Sequence, residues 1–464
     1  MLFSQQELLQ ATGGKHFGPA FEGVTGVSSD TRTLNPGNAF VALEGSHFDG
    51  HAYINTAFEA GATVCIVSDA WAHAHKNELS EHPFVTVHDT LRALGALAKA
   101  HRMRFHIPVI GVTGSNGKTT TKEMLASILS LTGLGLKTEG NLNNLIGLPH
   151  MVLKLEEGMH WAVFEMGMSE PGEIDRLADI AIPDTGIILN AFPAHLASMG
   201  TVEAVAKAKG ELLFKIADRG LAVINADDSR IASLPQNPSA RRVSFGINRG
   251  EVRAEHITGD GINGQRFVLV TPKGSIPITL KALGAHAIYD ALAASAALLD
   301  WVPLETIREG LGNFQPYSGR FHIETLSQEM VLIDDSYNAN PASMKAALST
   351  VQEVKDNHPA HIILGDMLEL GTDEQPLHQQ LGARAAHVAD HLYLLGSFAD
   401  DIRTGARSAG LAEEAISVAK THQELFSQLQ ANLTPGSILL IKGSRGMKMD
   451  AIAAMVRTAY ERED

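Results

Sequence analysis

Cysteine is almost missing from this chain, and positive charge is scarce. Cys65 is the single cysteine of 464 residues, so the sequence offers no disulfide framework. Lys and Arg total 37 against 52 Asp and Glu, which gives a net charge of −15. This balance argues against general nucleic-acid binding, because phosphate backbones are held by clustered Lys and Arg. Any anionic ligand must therefore be held by local devices.

Long apolar runs are missing as well. No stretch approaches the roughly 20 apolar residues that a membrane-spanning helix needs. The first ten residues also lack the charged-then-apolar build of a signal peptide. A fixed-period repeat or low-complexity run is not found either, so solenoid and disordered classes have little support. The sequence predicts a globular protein of a reducing cytoplasm with no membrane span, and we expect a monomer.

The length and the 44% hydrophobic content suggest about three domains. From about Val109 onward, strand-like runs alternate with helical patterns, which is typical of parallel sheets wrapped by helices. The last two thirds are therefore predicted to be α/β. The first segment mixes short apolar runs with turn signals such as Asn35-Pro36-Gly37 and ends near Val87. We predict domains at residues 1–87, 88–314 and 315–464.

The third segment contains four strand-like runs, at residues 331–333, 362–364, 392–395 and 438–441. Three of them run directly into polar or glycine-containing clusters, at residues 334–336, 365–366 and 442–446. Ligands of open α/β sheets bind beyond the carboxyl ends of the strands. These clusters are therefore predicted to line one site.

The strongest single signal is a glycine-containing loop between a predicted strand and the helical run from Lys122 to Leu131. It reads Thr113-Gly114-Ser115-Asn116-Gly117-Lys118-Thr119-Thr120. Such a loop turns its N–H groups toward an anion, while Lys118 supplies charge for the terminal phosphates and Thr119 offers a hydroxyl to Mg²⁺. The common spacing GxxxxGK[ST] is not met, because its first position falls on Val112. The alternative is a glycine-rich turn with an incidental lysine, but the order of strand, lysine, threonine and helix favours nucleotide binding.

Two polar residues follow strand-like runs in the same segment. Glu165 ends the run from Trp161, and His195 follows a run that ends at Asn190. A carboxylate suits Mg²⁺, whereas a neutral imidazole is an uncommon ligand that fits a second, more exposed metal position. An isolated histidine in a loop is more often a satisfied polar residue, so His195 on its own predicts little.

Lys209 lies on the apolar face of a predicted helix from Thr201 to Ile216. Lys207, two residues earlier, has Glu203 at the favourable ion-pair spacing, whereas Lys209 has no acid three or four residues away. Its helical neighbours are Val205, Ala206, Leu212 and Leu213. A lysine on a buried face needs an anionic partner or a chemical modification. The alternative is a stem that reaches solvent at the edge of the helix.

Together these motifs resemble those of the Mur ligase family over essentially the whole chain. The order is that of the family: residues 111–120, then Glu165-Met166-Gly167, Ala194-His195-Leu196 and Ala208-Lys209-Gly210-Glu211. The resemblance implies an α/β protein of three domains: a small N-terminal α/β domain, a central P-loop parallel-sheet ATPase domain and a C-terminal Rossmann-like domain. It also implies ATP and Mg²⁺ as cofactors. The first domain would hold a UDP-linked substrate, the second ATP, and the third the incoming amine.

Within that family, three further motifs are similar to those of the branch that adds a dipeptide: residues 334–341, 364–371 and 442–448. The substrates implied are UDP-N-acetylmuramoyl-tripeptide and D-alanyl-D-alanine, with meso-diaminopimelate or lysine as the third residue of the acceptor. Folylpolyglutamate synthases and the ligase for the third amino acid share the chemistry, but the motif Tyr337-Asn338-Ala339-Asn340-Pro341 speaks against both. A regulatory P-loop NTPase is the alternative of another class.

The resemblance assigns roles residue by residue. Lys118, Glu165, His195 and Lys209 would be catalytic, with Lys209 carried as a carbamate, and Thr119, Glu165, His195 and Lys209 would serve the metal. The phosphate loop would bind ATP together with Asp290, Arg320, Asp335 and Asn338. Substrate binding would fall to Ser29, Asp30, Arg32, Asn141, Asn143, Asn144, Asn340 and Arg445.

One motif departs from the family pattern. Where the family has His-Asn-x-x-Asn, this chain has His286-Ala287-Ile288-Tyr289-Asp290. The second asparagine contacts the adenine in relatives. Asp290 is expected to accept a hydrogen bond there, while the phosphate loop is unaffected by the change.

Overall fold

The computed structural model describes residues 1–45, 48–193 and 196–461. The described strands form sheets of two, five, nine and six strands. The three larger sheets fall within the three predicted segments, although the ligand assigned to each segment stays a prediction. In these described ranges, no helix combines the length and the apolar character that crossing a membrane requires.

The first segment is a sheet of order β2-β7-β6-β5-β4, parallel except for β2. In β6 the side chains of Val64 and Ile66 face one core, and Cys65 and Val67 face the other. Strands buried on both faces read as continuous apolar runs. The elements are β1 (Phe3–Ser4), α1 (Gln5–Thr12), β2 (Lys15–Phe17), β3 (Gly23–Val24), β4 (Gly26–Ser28), β5 (Asn38–Val41), α2 (Ile54–Glu59), β6 (Val64–Ser68), α3 (Asp69–Ala74) and β7 (Phe84–Val87).

Helix α4 (Thr90–Arg102) belongs to the cores of both the first and the second segment. It begins at Asp89, whose carboxylate accepts a hydrogen bond from the N–H of Arg92. Leu94 and Leu97 pack into the first core, and Ala98 packs into the second. The packing of this helix therefore ties the two segments together.

The second segment is a nine-stranded sheet of order β16-β15-β14-β13-β12-β11-β8-β10-β9. The elements are β8 (Val109–Thr113), α5 (Lys118–Leu129), β9 (Gly135–Lys137), α6 (Gly147–Val152), β10 (Trp161–Glu165), α7 (Glu173–Ala181), β11 (Thr185–Ile188), α8 (Leu196–Met199), α9 (Val202–Phe214), β12 (Leu221–Asn225), α10 (Ser229–Ala232), β13 (Arg241–Gly246), β14 (Val252–Gly259), β15 (Gln265–Thr271), β16 (Gly274–Leu280), α11 (Gly284–Leu298) and α12 (Leu304–Asn313).

The sheet is parallel as predicted from β9 to β14, and it departs from that pairing at the end of the segment. Strands β14, β15 and β16 pair antiparallel. In β15 and β16, buried and more exposed side chains alternate, so one face meets solvent. Antiparallel strands tolerate such a solvated face, whereas strands in parallel sheets are mostly buried on both faces.

The third segment is a sheet of order β17-β18-β22-β19-β20-β21, parallel except for β17. The elements are β17 (His322–Thr325), β18 (Val331–Asp335), α13 (Pro341–Val354), β19 (Ala360–Gly365), α14 (Glu374–Ala385), β20 (His391–Leu395), α15 (Ala399–Ser408), β21 (Ile416–Ala419), α16 (His422–Gln430), β22 (Ile438–Lys442) and α17 (Asp450–Ala459). The four predicted strand runs are confirmed as β18, β19, β20 and β22. The two edge strands were missed, because most of their residues are only partly buried and form no continuous apolar run.

Candidate functional site

The phosphate loop joins the carboxyl end of β8 to the first turn of α5. Gly117 precedes that turn with φ 86°, a left-handed backbone that disfavours side chains. A Cβ at this position would also collide with the carboxylate of Asp290 on α11. The glycine is therefore required twice, by its backbone and by the close approach of Asp290.

A residue that the sequence analysis missed holds the loop in place. The Asn116 N–H donates to Oδ1 of Asn190 at 2.9 Å, and Nδ2 of Asn190 donates to the Asn116 carbonyl at 3.1 Å. The Ser115 N–H donates to the carbonyl of Asn190 at 3.1 Å. Asn190 follows β11, so its place beyond a strand end of the same sheet was the signal that could have revealed it.

Lys118 begins α5 and folds back over its own loop. Its Nζ donates to the carbonyl of Gly114 at 2.8 Å and lies 3.4 Å from that of Ser115. Burial lowers the pKa of Lys118, and the charge of Glu165 partly opposes that shift. The ammonium thus lies among the loop carbonyls, close to the amides that would face a phosphate.

Glu165 ends β10 and is 2% exposed. Its carboxylate accepts hydrogen bonds from the Thr119 hydroxyl at 3.0 Å and from Nδ2 of Asn143 at 2.7 Å. A carboxylate beside a hydroxyl is the oxygen donor set that Mg²⁺ prefers, so these residues fit the ion. Asn143, predicted to bind substrate, is placed here to orient Glu165.

Two further residues predicted for this site, Thr113 and Thr120, lie within the described ranges. The hydroxyl of Thr113 donates to the carbonyl of Met166, and Thr120 lies half-buried on α5. His195 lies outside the described residues. Over the described ranges, no three His, Cys, Asp or Glu side chains cluster as they would around a metal ion.

Lys209 is buried on α9, with 4% of its surface exposed. The predicted apolar neighbours on the same helix are all buried, namely Val205, Ala206, Leu212 and Leu213. Among the described residues, none forms a hydrogen bond or ion pair with its ammonium. Burial holds the pKa of Lys209 well below the usual lysine value, and the charge of Lys118 lowers it further.

The prediction that Lys207 pairs with Glu203 was wrong. Oε1 of Glu203 accepts a hydrogen bond from Nε of Arg230 at 2.9 Å. Arg230 follows β12 in α10, so spacing within α9 could not reveal it. Lys207 is exposed, as expected.

Asp290 lies on α11, directly behind the phosphate loop. Its carboxyl group is buried and accepts a hydrogen bond from the Thr121 hydroxyl at 3.1 Å. Burial holds the pKa of Asp290 well above the usual range, although the hydrogen bond from Thr121 and the charge of Arg320 oppose the shift. Asp290 lies against Gly117 and therefore at the phosphate end of the site. Its contact with the adenine of ATP stays a prediction.

Arg320 of the third segment contacts the phosphate loop. Its Nη2 donates to the hydroxyl of Thr119 at 3.3 Å. The guanidinium also stacks on the ring of Tyr337, 3.9 Å from its centre, and Arg445 approaches the same ring at 5.0 Å. The aromatic ring thus holds together the two arginines predicted to bind ligands.

Asp335 and Asn338 lie at the carboxyl end of β18 and are joined by Lys442. The Lys442 ammonium donates to Asp335 at 2.6 Å and to the carbonyl of Asn338 at 2.9 Å. The N–H of Phe321 donates to the other oxygen of Asp335 at 3.2 Å. Oδ1 of Asn338 accepts from the N–H of Arg445 at 3.3 Å. Three predicted ligand residues are therefore brought to one edge of the sheet.

Asn340 reaches from the third segment to the phosphate loop. Its Nδ2 donates to Oδ1 of Asn116 at 2.7 Å, and Nδ2 of Asn116 donates back at 3.3 Å. Asn340 is also the N-cap of α13, where its side chain accepts from the N–H of Ser343 at 2.9 Å. The predicted substrate residue therefore contacts the protein's own loop.

The residues predicted to serve the UDP-linked substrate lie around the contact between the first two segments. Ser29 shares a 2.8 Å hydrogen bond between its hydroxyl and Nε2 of His150 on α6. Arg32 is mostly exposed and pairs with Asp30 at 2.6 Å, which lowers the pKa of Asp30 to about 2. Ser29, Asp30 and Arg32 all follow the carboxyl end of β4.

Two asparagines before α6 shape the same region. Oδ1 of Asn144 accepts hydrogen bonds from the N–H groups of Ile146 and Gly147 at 3.1 and 2.8 Å, which fixes the start of α6. The Asn141 carbonyl accepts from the N–H of Asn143 at 2.8 Å, and its side chain is exposed. Asn144 thus has a structural role, and the side chain of Asn141 faces solvent.

Comparisons with known proteins give one consistent result. Models of the Mur ligase family match residues 23–102 (catalytic domain), 112–298 (middle domain) and 319–445 (glutamate ligase domain). The chain is 34% identical to a UDP-N-acetylmuramoyl-tripeptide–D-alanyl-D-alanine ligase of Bacillus subtilis, over 92% of both chains. It is 35% identical to the Escherichia coli ligase of the same name, again over 92% of both.

Solved structures agree with these relatives. A crystal structure of MurF from Acinetobacter baumannii has a TM-score of 0.89 at 34% identity and covers 98% of this chain and 99% of its own. MurF ligase from Thermotoga maritima, solved in complex with ADP, has a TM-score of 0.81 at 25% identity. The match covers 93% of this chain and 97% of that one.

Proposed function

The chain belongs to the Mur ligase family, as its motifs predicted, and on that premise we propose that it joins D-alanyl-D-alanine to UDP-N-acetylmuramoyl-tripeptide at the expense of ATP. The observation that carries the proposal is the similarity to ligases of this name along more than nine tenths of the chain. The phosphate loop supports it, because its lysine, glycine and helix start suit a nucleotide triphosphate. We place the reaction in the cytoplasm, and we propose a monomer.

The first step transfers a phosphoryl group. A carboxylate oxygen of the acceptor peptide attacks the γ-phosphorus of ATP, the bond to the bridging oxygen breaks, and ADP leaves. Because the charge is spread over the phosphoryl oxygens, the protein acts by positioning and neutralising. Lys118 and the loop amides neutralise the negative charge of the phosphoryl oxygens, and Asn190 fixes the loop backbone. Mg²⁺, which Glu165 and Thr119 fit, would add positive charge beside the phosphates.

The second step forms the amide. The neutral amine of the dipeptide attacks the acyl phosphate carbon, the carbon–oxygen bond to phosphate breaks, and the proton lost by the nitrogen ends on the released phosphate. Water would destroy the acyl phosphate, so the third segment must cover the site during the reaction. The contact between Arg320 and Thr119 supports a closed arrangement of that kind.

The remaining roles follow the same proposal. Lys209 carries a carbamate that replaces its buried cation with an anion able to face Mg²⁺, together with His195. Asp290, Arg320, Asp335 and Asn338 serve the nucleotide. Ser29, Asp30, Arg32, Asn141 and Asn144 serve the UDP-peptide, and Arg445 the dipeptide side.

Substrate-dependent phosphate release tests the function. With ATP and Mg²⁺ the enzyme should be nearly silent until both UDP-tripeptide and D-alanyl-D-alanine are present, and the product mass should equal the two substrates joined less one water. Acceptors with meso-diaminopimelate and with lysine are assayed separately. Release of phosphate that ignores both substrates would support the regulatory NTPase instead.

A further inference from the structure

Asn340 and Asn116 form a reciprocal pair of carboxamides between the third segment and the phosphate loop. Each side chain donates to the other, at 2.7 and 3.3 Å. The two residues are 224 positions apart, so the pair exists only while the two segments lie against each other. We propose that Asn340 is a positioning residue that sets the phosphate loop through Asn116 when the third segment closes.

The orientation of Asn340 is fixed by its second role. As the N-cap of α13, it must turn Oδ1 toward the N–H of Ser343, which donates at 2.9 Å. That leaves Nδ2 facing Asn116, whose Oδ1 must then face Asn340. The direction of the pair therefore follows from the helix cap and does not depend on a free choice of amide orientation.

The hydrogen-bonding capacity of Asn340 also argues against a primary role in substrate binding. Oδ1 accepts from two donors, Asn116 and Ser343, and one of the two Nδ2 hydrogens is used by Asn116. An amide has two acceptor sites and two donors. One N–H remains for any ligand, so the side chain serves the phosphate loop first.

On the loop side, the contact reaches a rigid point. The main chain of Asn116 is held by Asn190 through both its N–H and its carbonyl. Asn116 directly precedes Gly117 and lies two residues before Lys118. A change in the position of the Asn116 side chain therefore also moves the residues that would surround the phosphates. Displacements near 1 Å at such a site cost about 100-fold in rate.

The inference rests on the proposed function in one respect: closure is the step that protects the acyl phosphate. ATP is held by the second segment, so loss of the pair should lower kcat more than it raises the Michaelis constant for ATP. A purely structural N-cap would instead lower only the melting temperature.

The test is a set of variants that separate the cap from the pair. Asn340→Ser keeps a good N-cap and removes the reciprocal amide. We expect kcat to fall about 10- to 100-fold, with an unchanged melting temperature. Asn340→Asp keeps the cap and one bond, because the Asn116 amide can turn its NH₂ toward the carboxylate, and it should retain an intermediate kcat. Ser343→Ala loses the two hydrogen bonds of the Ser343 hydroxyl, which accepts from the N–H of Asn340 and donates to its carbonyl, both at 3.0 Å. The N–H of residue 343 can still donate to Oδ1 of Asn340, so kcat should stay within about 2-fold of wild type.

A double-mutant cycle with Asn116→Ser decides whether the two residues act together. In that background, Asn340→Ser should add little further loss, because the partner is already gone. Equal losses in both backgrounds, or an unchanged kcat for Asn340→Ser, would overturn the proposal.

Small-angle scattering gives a readout that does not depend on the reaction. With a non-hydrolysable ATP analogue and Mg²⁺, the Asn340→Ser protein should have a larger radius of gyration than wild type. Identical radii would also overturn the proposal. A wild type that makes no amide product refutes the proposed function alone, and the scattering comparison still decides the role of the pair.

Discussion

Lys209 and Asp290 are buried near the phosphate loop, and their ionised forms are both disfavoured. Lys209 is 4% exposed with apolar helical neighbours, and Asp290 is 3% exposed beneath Gly117. Burial penalises the charged form of each, so the lysine favours the neutral amine and the aspartate favours the carboxylic acid. Each therefore supports a prediction about a single side chain.

Lys209→Ala should lose at least about 100-fold in ligase activity, because the carbamate that we propose would orient the metal site. Only a neutral amine reacts with CO₂, and the lowered pKa of Lys209 supplies it. Short carboxylates added to the buffer should restore part of the activity. The initial rate of phosphate release with both substrates measures each effect.

Lys207→Ala is the matched control on the same helix. Its side chain is exposed, so the change should be close to neutral. Full activity of CO₂-depleted enzyme, together with equal behaviour of the two variants, would exclude the carbamate.

Asp290→Asn should remove a pH dependence of stability. The raised pKa of Asp290 means that its protonated form favours the folded protein. That contribution is complete below the unfolded value of about 4 and is lost as pH rises through the folded pKa, by at most about 1.4 kcal/mol per pH unit. Asn keeps the shape and still accepts from the Thr121 hydroxyl.

Urea unfolding of wild type and Asp290→Asn, at pH values from about 5 to about 9 in steps of about one unit, measures this difference in pH dependence. The free energy of unfolding of wild type should fall relative to the variant as pH rises. Parallel curves would mean that Asp290 does not titrate in this range.

At the scale of single residues, sequence predicted what depends on neighbours along one element. The burial of Lys209 followed from helical spacing. The pairing of Glu203 with Arg230 and the clamp from Asn190 did not, because those partners lie on other elements. Asn143 and Asn340 were identified as functional residues, but the structure directs their side chains to Glu165 and Asn116.

At the scale of elements, the turn from β8 into α5 offers a test with a close internal control. Gly117→Ala should abolish nucleotide binding and lower the free energy of unfolding, because the new Cβ collides with Asp290. Gly172 precedes α7 with the same φ of 86°, but a Cβ there would meet no atom within 4 Å. Gly172→Ala should cost only the left-handed strain, about 1–2 kcal/mol.

Nucleotide titration calorimetry and urea unfolding of the two variants measure the difference. Replacing Asp290 by Ala in the Gly117→Ala protein should recover part of the lost stability. Equal losses for the two glycine variants would mean that backbone strain alone explains the requirement.

The elements themselves were predictable where burial is continuous. Strands β18, β19, β20 and β22 are buried along their length or nearly so, and each gave an apolar run. Edge strands and the antiparallel β14 to β16 carry partly exposed faces, so their patterns are weaker. Sheet order also depends on contacts between distant strands, which no local pattern contains.

At the scale of the whole molecule, the proposed division of ligands among segments predicts that two bindings are separable. Lys118→Ala should lower ligation about 1000-fold, while the affinity for UDP-tripeptide should stay close to that of wild type. The reason is that Lys118 faces the phosphate loop, whereas Ser29, Asp30 and Arg32 lie in the first segment.

Calorimetric titration with UDP-tripeptide in the absence of ATP measures the second quantity. Arg32→Ala is the reciprocal variant and should weaken UDP-tripeptide binding with little effect on ATP. A loss of peptide affinity in Lys118→Ala as large as its loss of turnover would contradict the assignment.

Helix α4 gives the first two segments a shared core, and the bond between Ser29 and His150 adds a direct link beside it. On the proposed function, one end of the acceptor is held in the first segment and its reacting carboxylate must reach the phosphate loop. A joint of this kind would keep the distance between these two points constant. It would select acceptors by the number of residues in the peptide, since one residue more or fewer moves the carboxylate by about 3.5 Å.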